Sequence, residues 1–149
     1  MMIKVLFVCT GNTCRSPMAE ALLKKMNLTD VEVRSAGVYA MNGSVASDHA
    51  QKVLDEQRIP HNHQSSMLTD TLVAWSTYIF TMTKGHKEAV INRFPNAQSK
   101  TYTLKEFARL DGNLDIVDPF GGSVEEYRSA FFDIQEAIEK VAEILEKNT

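Results

Sequence analysis

Several features are scarce in this sequence of 149 residues, and each absence excludes a class of protein. Two cysteines are too few for a small secreted domain held together by disulfides. No apolar run approaches the roughly 18 residues of a membrane-spanning helix, and the N-terminus enters a predicted strand instead of a signal peptide. A net charge of -3 provides no general attraction to nucleic acid or to an anionic membrane. We therefore expect a cytoplasmic protein with no nucleic-acid partner and no membrane partner.

Internal repeats, low-complexity segments and linkers are also missing, so we expect residues 1–149 to form a single domain. What is present is an alternation of strand-like and helix-like segments. The predicted strands are 3–8, 31–35, 77–82 and 100–104, and the predicted helices are 17–27, 47–57, 69–73, 85–94 and a long one after 123. This alternation predicts an α/β fold, a three-layer α/β/α domain around a four-stranded parallel sheet with right-handed crossovers.

The turn between the first strand and the first helix contains a cysteine and an arginine. Cys9 follows the apolar run, and Arg15 precedes Ser16 and Pro17, which we expect to cap the helix and to occupy its first position. Ligands of open α/β sheets bind at this end of the strands. The N–H groups of the turn and the helix dipole favour an anion, and an arginine suits phosphate. Because the same fields stabilise a thiolate, the turn predicts a nucleophile where a phosphoryl group would bind.

Two motifs resemble those of the low-molecular-weight protein tyrosine phosphatases. The first is VCTGNTCRSP at positions 8–17, and the second is DPF at positions 118–120. The pair is highly specific, and the likeness extends over essentially the whole chain. Within the family the chain looks most like the bacterial protein-arginine phosphatases, because Thr13 stands where phosphotyrosine-directed members usually have an aliphatic residue such as isoleucine.

The resemblance implies roles for the residues of both motifs. Cys9 would be the nucleophile, and Asp118 would be the general acid and then the general base. Arg15, with the backbone amides of the turn, would hold the phosphoryl oxygens. The residues expected to bind substrate are Thr10, Gly11, Asn12, Thr13, Cys14 and Phe120. Asp111 and Asp115 are rivals of Asp118 in the same long connection.

Ser16 and His63 would support the turn through hydrogen bonds, together with the side chain of Asn12. The resemblance implies no metal and no cofactor. General chemistry agrees, because oriented N–H donors and an arginine stabilise the charge of a phosphoryl transition state without a metal. A carboxylic acid supplies the proton that the leaving group needs.

The resemblance thus implies a hydrolase that removes phosphoryl groups from arginine side chains of proteins through a phosphocysteine intermediate. A phosphotyrosine-protein phosphatase of the same family is the alternative. A hydroxyl at Thr13 can accept a hydrogen bond from a guanidinium where isoleucine cannot, and a pocket built this way discriminates strongly. Gly121 and Gly122 follow Phe120 where tyrosine-directed relatives often have a second aromatic, which also favours arginine. We expect phosphorylated proteins as partners and a monomeric chain.

Four further hypotheses remain at this stage. Cys9 could be a buried structural thiol. The two cysteines with His61 and His63 could bind zinc, although an arginine beside Cys14 disfavours a cation. An arsenate reductase shares a similar loop but needs further cysteines, and none follows Cys14. A phosphoprotein-binding module would keep the loop without the reaction.

Overall fold

The computed structural model describes residues 2–148, which form one parallel sheet with helices on both faces. The strands are β1 Ile3–Cys9, β2 Val31–Gly37, β3 Tyr78–Thr81 and β4 Thr101–Thr103. The helices are α1 Arg15–Lys25, α2 Asp48–Glu56, α3 Asp70–Trp75, α4 Lys84–Arg93, α5 Leu104–Phe107 and α6 Val124–Lys147, with a 3-10 helix at Pro95–Lys100. The strands lie in the order β2-β1-β3-β4, and all neighbours are parallel.

The strand β1 lies inside the sheet and is buried on both faces. Val5 and Phe7 belong to the hydrophobic cluster formed with α1, α2 and α6, while Leu6 and Val8 belong to a second cluster on the opposite face. All four side chains have no exposed surface. A strand covered on both faces needs apolar residues at every position, which explains the continuous apolar run in the sequence. The predicted three-layer fold is confirmed.

The long helix α6 begins as the sequence predicts. The side chain of Ser123 accepts a hydrogen bond from the backbone N–H of Glu126, and the Glu126 side chain accepts one from the backbone of Ser123. This capping box satisfies two N–H groups that a helix start leaves free. The helix then buries Phe131, Ile134 and Ile138 completely against α1 and α2.

The predicted start of α1 is wrong. The helix begins at Arg15, its N-cap is Cys14, and no side chain caps it. Ser16 therefore lies inside the first turn, and Pro17 is the third helical residue instead of the first. Proline is tolerated there because the first N–H groups of a helix have no partner within the helix.

Two short elements at the edge of the sheet were absent from the sequence prediction. The 3-10 helix Pro95–Lys100 follows α4, and α5 occupies the residues after β4 with its own capping box between Thr103 and Glu106. Such short elements show too little periodicity to be recognised. In the part of the chain that the structure describes, no helix is both long enough and apolar enough to span a membrane.

Candidate active site

The candidate site lies where the direction of the chain across the sheet reverses. From β1 the chain proceeds to β2 on one side and then crosses to β3 on the other side of β1. The carboxyl ends of β1 and β3 therefore leave a crevice at a topological switch point, the usual ligand site of an open α/β sheet. Cys9 is the last residue of β1, and the loop from Thr10 to Cys14 fills this crevice before α1 begins at Arg15.

Asn12 fixes the conformation of the loop through hydrogen bonds on the side that faces the protein interior. Its φ of 58° lies in the left-handed region, which asparagine adopts more readily than most residues. Its fully buried side chain donates hydrogen bonds to the hydroxyls of Ser16 (2.8 Å) and Ser35 (2.9 Å) and accepts one from the backbone N–H of Ser66 (2.9 Å). The predicted supporting role agrees with this position, whereas the Asn12 side chain is not among those that line the substrate cavity.

The hydroxyl of Ser16 contacts the candidate nucleophile. Its Oγ lies 2.8 Å from the Cys9 Sγ while accepting the hydrogen bond from Asn12. With that acceptor position occupied, the hydroxyl proton is free to be donated to the sulfur. These two contacts also explain why Ser16 does not cap α1, since its oxygen is already engaged.

His63 and Glu20 form the next layer beneath the loop. The Nε2 of His63 donates to the backbone carbonyl of Asn12 at 2.6 Å, and its Nδ1 lies 3.5 Å from a carboxylate oxygen of Glu20. Ser35 also donates to Glu20. Burial alone would raise the pKa of Glu20, but hydrogen bonds from His63, Lys24 and Ser35 outweigh it and lower the pKa to about 2. Glu20 is therefore a fixed negative charge that orients the groups holding Asn12.

Close packing against β2 requires a glycine at the end of that strand. A Cβ on Gly37 would lie 2.4 Å from the Thr10 carbonyl oxygen and 2.9 Å from the Asn12 backbone nitrogen. The backbone beyond Gly37 then binds the loop, with Val38 N–H donating to the Cys9 carbonyl and Tyr39 N–H to the Thr10 carbonyl, both at 3.0 Å.

Arg15 and Asp118 meet across the crevice. Arg15 is only 4 % exposed, its Nη1 donates to the Ile116 carbonyl at 2.8 Å, and its Nη2 lies 3.6 Å from a carboxylate oxygen of Asp118. The Asp118 side chain remains 53 % exposed, and its other oxygen accepts from the Phe120 N–H at 3.0 Å. A carboxylate half in solvent beside a buried arginine is well placed to exchange protons with a bound substrate and water.

The two rival aspartates lie elsewhere. Asp115 accepts a hydrogen bond from the backbone N–H of Lys84 at 2.8 Å, at the start of α4, and Asp111 is an exposed residue. Of the three aspartates in this connection, Asp118 alone lines the cavity above Cys9.

The cavity has a volume of about 220 Å³, enough for one phosphorylated side chain. The residues that line it are Cys9, Thr10, Gly11, Thr13, Cys14, Arg15, Asp118 and Phe120. The structure thus brings together every residue predicted to react with substrate or to contact it, except the side chain of Asn12. Phe120 forms only one side of the opening, because 74 % of it is exposed.

Cys14 lines the cavity, and its sulfur contacts two hydroxyl groups. Its Sγ is 3.3 Å from the hydroxyl of Tyr127 and 3.6 Å from that of Ser47. Burial and the hydrogen bond with Cys14 raise the pKa of Tyr127 to about 12, so the tyrosine stays neutral. Cys14 therefore helps to fix the loop against α6.

His86 is a site residue that the sequence prediction missed. It is buried, and its Nε2 lies 2.8 Å from the Thr10 hydroxyl in the wall of the cavity. Burial and the nearby positive charge of Arg15 lower the pKa of His86 to about 4. His86 is therefore neutral near pH 7 and adds no positive charge to the site.

The zinc hypothesis finds no support in the geometry. Within residues 2–148 there is no group of three or more histidine, cysteine, aspartate and glutamate side chains placed to hold a metal ion. His61 lies 2.7 Å from Asp55, and His63 is bonded to the loop backbone. Both cysteines are free.

One cavity is lined by the Cys9 thiol, by the loop that follows it, by the buried Arg15 and by the Asp118 carboxylate. Phosphoryl transfer to a thiol needs these parts together, and the fold and the site define a cysteine-dependent phosphatase. Comparison with known proteins gives the family. Residues 4–149 match the low molecular weight phosphotyrosine protein phosphatases, and the chain belongs to that family.

Several relatives resemble the chain over most of its length. A protein-arginine-phosphatase of Geobacillus stearothermophilus is 51 % identical over 147 residues, 98 % of each chain, and one of Bacillus subtilis is 41 % identical over 97 % of each. A low molecular weight protein-tyrosine-phosphatase of Staphylococcus haemolyticus is 38 % identical over 87 % of this chain and 90 % of that one.

Solved structures agree with the fold of the chain. The structure of the YwlE arginine phosphatase from Geobacillus stearothermophilus superposes with a TM-score of 0.94 at 50 % identity, covering 98 % of this chain and 94 % of that one. A mutant YwlE arginine phosphatase, whose active-site cysteine is replaced by a phosphorylated serine, superposes with a TM-score of 0.92 at 40 % identity, over 97 % of each chain.

Proposed function

We propose that this chain hydrolyses phosphoarginine on proteins, with Cys9 as the nucleophile and Asp118 as the acid and base. The observation that carries the substrate assignment is the lining of the cavity, which includes Thr13 and Asp118, two residues whose side-chain oxygens can accept hydrogen bonds from a guanidinium. The names of the relatives from Geobacillus stearothermophilus and Bacillus subtilis support the same substrate.

In the first step, the thiolate of Cys9 attacks phosphorus, the S–P bond forms and the bond from phosphorus to the substrate nitrogen breaks. Asp118 gives its proton to that nitrogen, so the leaving group departs as an ordinary guanidinium. The phosphoryl charge spreads over three oxygens during the transfer, and Arg15 and the N–H groups of the loop stabilise it. Because these donors are already held by Asn12 and its partners, little reorganisation is needed at the moment of reaction.

In the second step, Asp118 accepts a proton from a water molecule that attacks the phosphocysteine. The S–P bond breaks, inorganic phosphate leaves, and the Cys9 sulfur returns to its contact with Ser16. Dividing the hydrolysis into two transfers lowers each barrier, and one carboxyl group serves both steps because its proton state alternates.

Thr13 and Asp118 give this cavity its preference for a guanidinium. A guanidinium carries five N–H donors and no acceptor, so it needs acceptor oxygens at the wall. The Thr13 hydroxyl can accept, and so can the Asp118 oxygen that does not carry the proton for the leaving group. An aliphatic residue at position 13 would leave the donors of a buried guanidinium without a partner.

A phosphotyrosine substrate is the second candidate, because Phe120 offers an aromatic face at the cavity and a relative 38 % identical carries a tyrosine phosphatase name. The cavity holds a single aromatic residue in its lining, which leaves little ring surface for stacking. We therefore rank this function second.

The proposal includes the supporting roles of Ser16, His63 and Asn12, phosphorylated proteins as partners and a monomeric chain of one domain. It also places the enzyme in the cytoplasm, where a reducing environment keeps both thiols free.

A substrate panel tests the proposed function. Two peptides of the same sequence, one with phosphoarginine and one with phosphotyrosine, are given to one enzyme preparation, and kcat/KM is measured for each. We expect the phosphoarginine peptide to be turned over with the higher kcat/KM. A higher value for the phosphotyrosine peptide would establish the second candidate instead.

A further inference from the structure

The most exposed large apolar side chains of the described chain lie on two loops that adjoin the cavity. They are Tyr39, Met41, Val45, Val117 and Phe120, and they are between 66 % and 79 % exposed. We call these five residues the apolar rim. The other exposed large apolar residues, Met2, Met26 and Phe132, are all less than half exposed. Apolar exposure on this scale at one place marks an interaction surface.

Two loops carry the rim, and both are attached to the site. In the loop 38–47, Tyr39 N–H donates to the Thr10 carbonyl at 3.0 Å and Ser47 N–H donates to the Thr13 carbonyl at 2.8 Å. The second loop, 116–123, begins beside Arg15 and supplies the walls formed by Asp118 and Phe120. The rim therefore continues directly from the cavity onto the outer surface.

The loop 38–47 presents its large side chains outward on an ordered backbone. Ala40 and Ala46 are buried at 2 % exposure, whereas Tyr39 and Met41 face solvent. Ser65 donates its hydroxyl to the Met41 carbonyl and exchanges backbone hydrogen bonds with the same loop. Since Tyr39, Met41 and Val45 stay exposed in a loop that is held by hydrogen bonds and buries other residues, folding of the chain alone does not account for their exposure.

Charged residues are nearly missing from the two loops themselves. The segments 38–47 and 116–123 contain one charged residue, Asp118, which already belongs to the cavity. A neighbouring cation, Arg93, is engaged at the Val38 carbonyl, to which its Nη1 donates at 2.7 Å. The side chains that the loops expose therefore favour contact with apolar groups.

We propose that the apolar rim binds large apolar side chains that flank the phosphorylated residue in an extended segment of a substrate protein. The inference rests on the proposed function in one respect, that the substrate is a protein. The cavity of about 220 Å³ takes one side chain, so the polypeptide on either side must cross the rim. An extended chain rises about 3.3 Å per residue, which brings residues up to about three positions away onto these loops.

An extended segment fits better than a folded surface. Residues with large apolar side chains are usually buried once a protein is folded, and they become available in unfolded or unstructured segments. The enzyme would then favour phosphorylated residues in segments that have lost their packing or never had any.

Matched peptides test the rim. One peptide has leucine or phenylalanine within two positions of the phosphorylated residue, and the other has serine at those positions. Each is made with phosphoarginine and with phosphotyrosine. We expect kcat/KM to be about tenfold higher for the apolar peptide, since partial burial of one or two large side chains corresponds to that factor. The apolar and serine peptides that are compared always carry the same phosphorylated residue. The test of the rim therefore stays valid even if the arginine assignment fails.

The variant Tyr39→Ser/Met41→Ser should reduce the preference to about twofold or less, while its turnover of free phosphoarginine stays within about twofold of wild type. Met26→Ser, which changes an exposed methionine at the far end of α1, is the matched control and should keep the full preference. Equal kcat/KM values for the apolar and serine peptides in wild type would overturn the proposal. So would a concentration-dependent dimer in sedimentation experiments that the double variant abolishes, because the rim would then be the contact between two copies.

Discussion

The floor and the rim of the cavity reverse the usual distribution of polar and apolar side chains. The floor consists of Asn12, Ser16, Ser35, His63 and Glu20, all wholly or largely buried, with hydrogen bonds between neighbouring groups. The rim is apolar and exposed. A buried polar network is favourable only when its members are satisfied, so a change in the floor should affect folding and catalysis together. A change at the opening should affect catalysis or substrate choice and leave folding intact.

The largest effect is expected for Asp118→Asn at the opening, where catalysis should be lost while stability is kept. The amide keeps the size of the side chain but cannot exchange the proton, so kcat should fall by about 10²- to 10⁴-fold. The free energy of unfolding should change by less than about 1 kcal/mol, because the Asp118 carboxylate is half exposed and Arg15 keeps its hydrogen bond to the Ile116 carbonyl. Steady-state kinetics and urea unfolding measure the two quantities.

Asp115→Asn is the matched control for this change. Asp115 lies in the same connection, and its Oδ1 accepts from the Lys84 N–H, a hydrogen bond that asparagine can keep. We expect kcat within about twofold of wild type. A comparable loss of kcat in both variants would refute the assignment of the proton to Asp118.

The next effect concerns the floor and is tested with Asn12→Gly. Glycine accepts the φ of 58°, so the variant adds no backbone strain and removes the buried side chain with its hydrogen bonds to Ser16, Ser35 and Ser66. We expect the free energy of unfolding to fall by about 2 to 4 kcal/mol and kcat to fall at least about tenfold. Asn27→Gly is the control, because Asn27 has a φ of 50° but is exposed, and its stability should change by less than about 0.5 kcal/mol. Full activity of Asn12→Gly would show that the loop holds its shape without the floor.

A smaller effect is expected from the pH dependence of stability at His86. The pKa of this residue is about 4 in the folded chain and near 6.5 when unfolded, so the unfolded state binds more protons between these values. Its contribution to stability is therefore complete above pH 6.5 and is lost as the pH falls towards 4. The loss is about 3 kcal/mol.

The variant His86→Gln removes this titration and keeps a polar group beside Thr10. Urea unfolding between pH 6.5 and 4 should show a weaker decline in stability for the variant than for wild type. Parallel declines for the two proteins would contradict the buried, neutral state of His86.

Local signals in the sequence predicted many residues at the floor but not the hydrogen bonds that join them. The turn from Cys9 to Arg15 was recognisable because a strand, a cysteine, an arginine and a helix start follow one another directly. Ser16 resembled a helix cap for the same local reason, yet its hydroxyl is engaged by Cys9 and Asn12. His86 escaped prediction because its partner, Thr10, is 76 residues away and no local pattern records the contact.

The opening was predicted in part. The resemblance placed Asp118 and Phe120 at the pocket, and the structure has both in its lining. The exposure of Tyr39, Met41 and Val45 could not be read from the sequence, because whether an apolar side chain in a loop is buried depends on which residues pack over it. In this loop Ala40 and Ala46 are buried next to exposed apolar residues, a pattern that composition alone does not predict.

The most direct measurement concerns Thr13, the residue at the wall of the cavity on which the substrate assignment depends. The ratio of kcat/KM for matched phosphoarginine and phosphotyrosine peptides is determined for wild type, Thr13→Ile and Thr13→Ser. If the Thr13 hydroxyl confers arginine specificity, the ratio of phosphoarginine to phosphotyrosine kcat/KM should be at least about tenfold lower in Thr13→Ile than in wild type. In Thr13→Ser, which keeps the hydroxyl, the ratio should stay within about threefold of wild type. An unchanged ratio in Thr13→Ile would contradict this role of the hydroxyl.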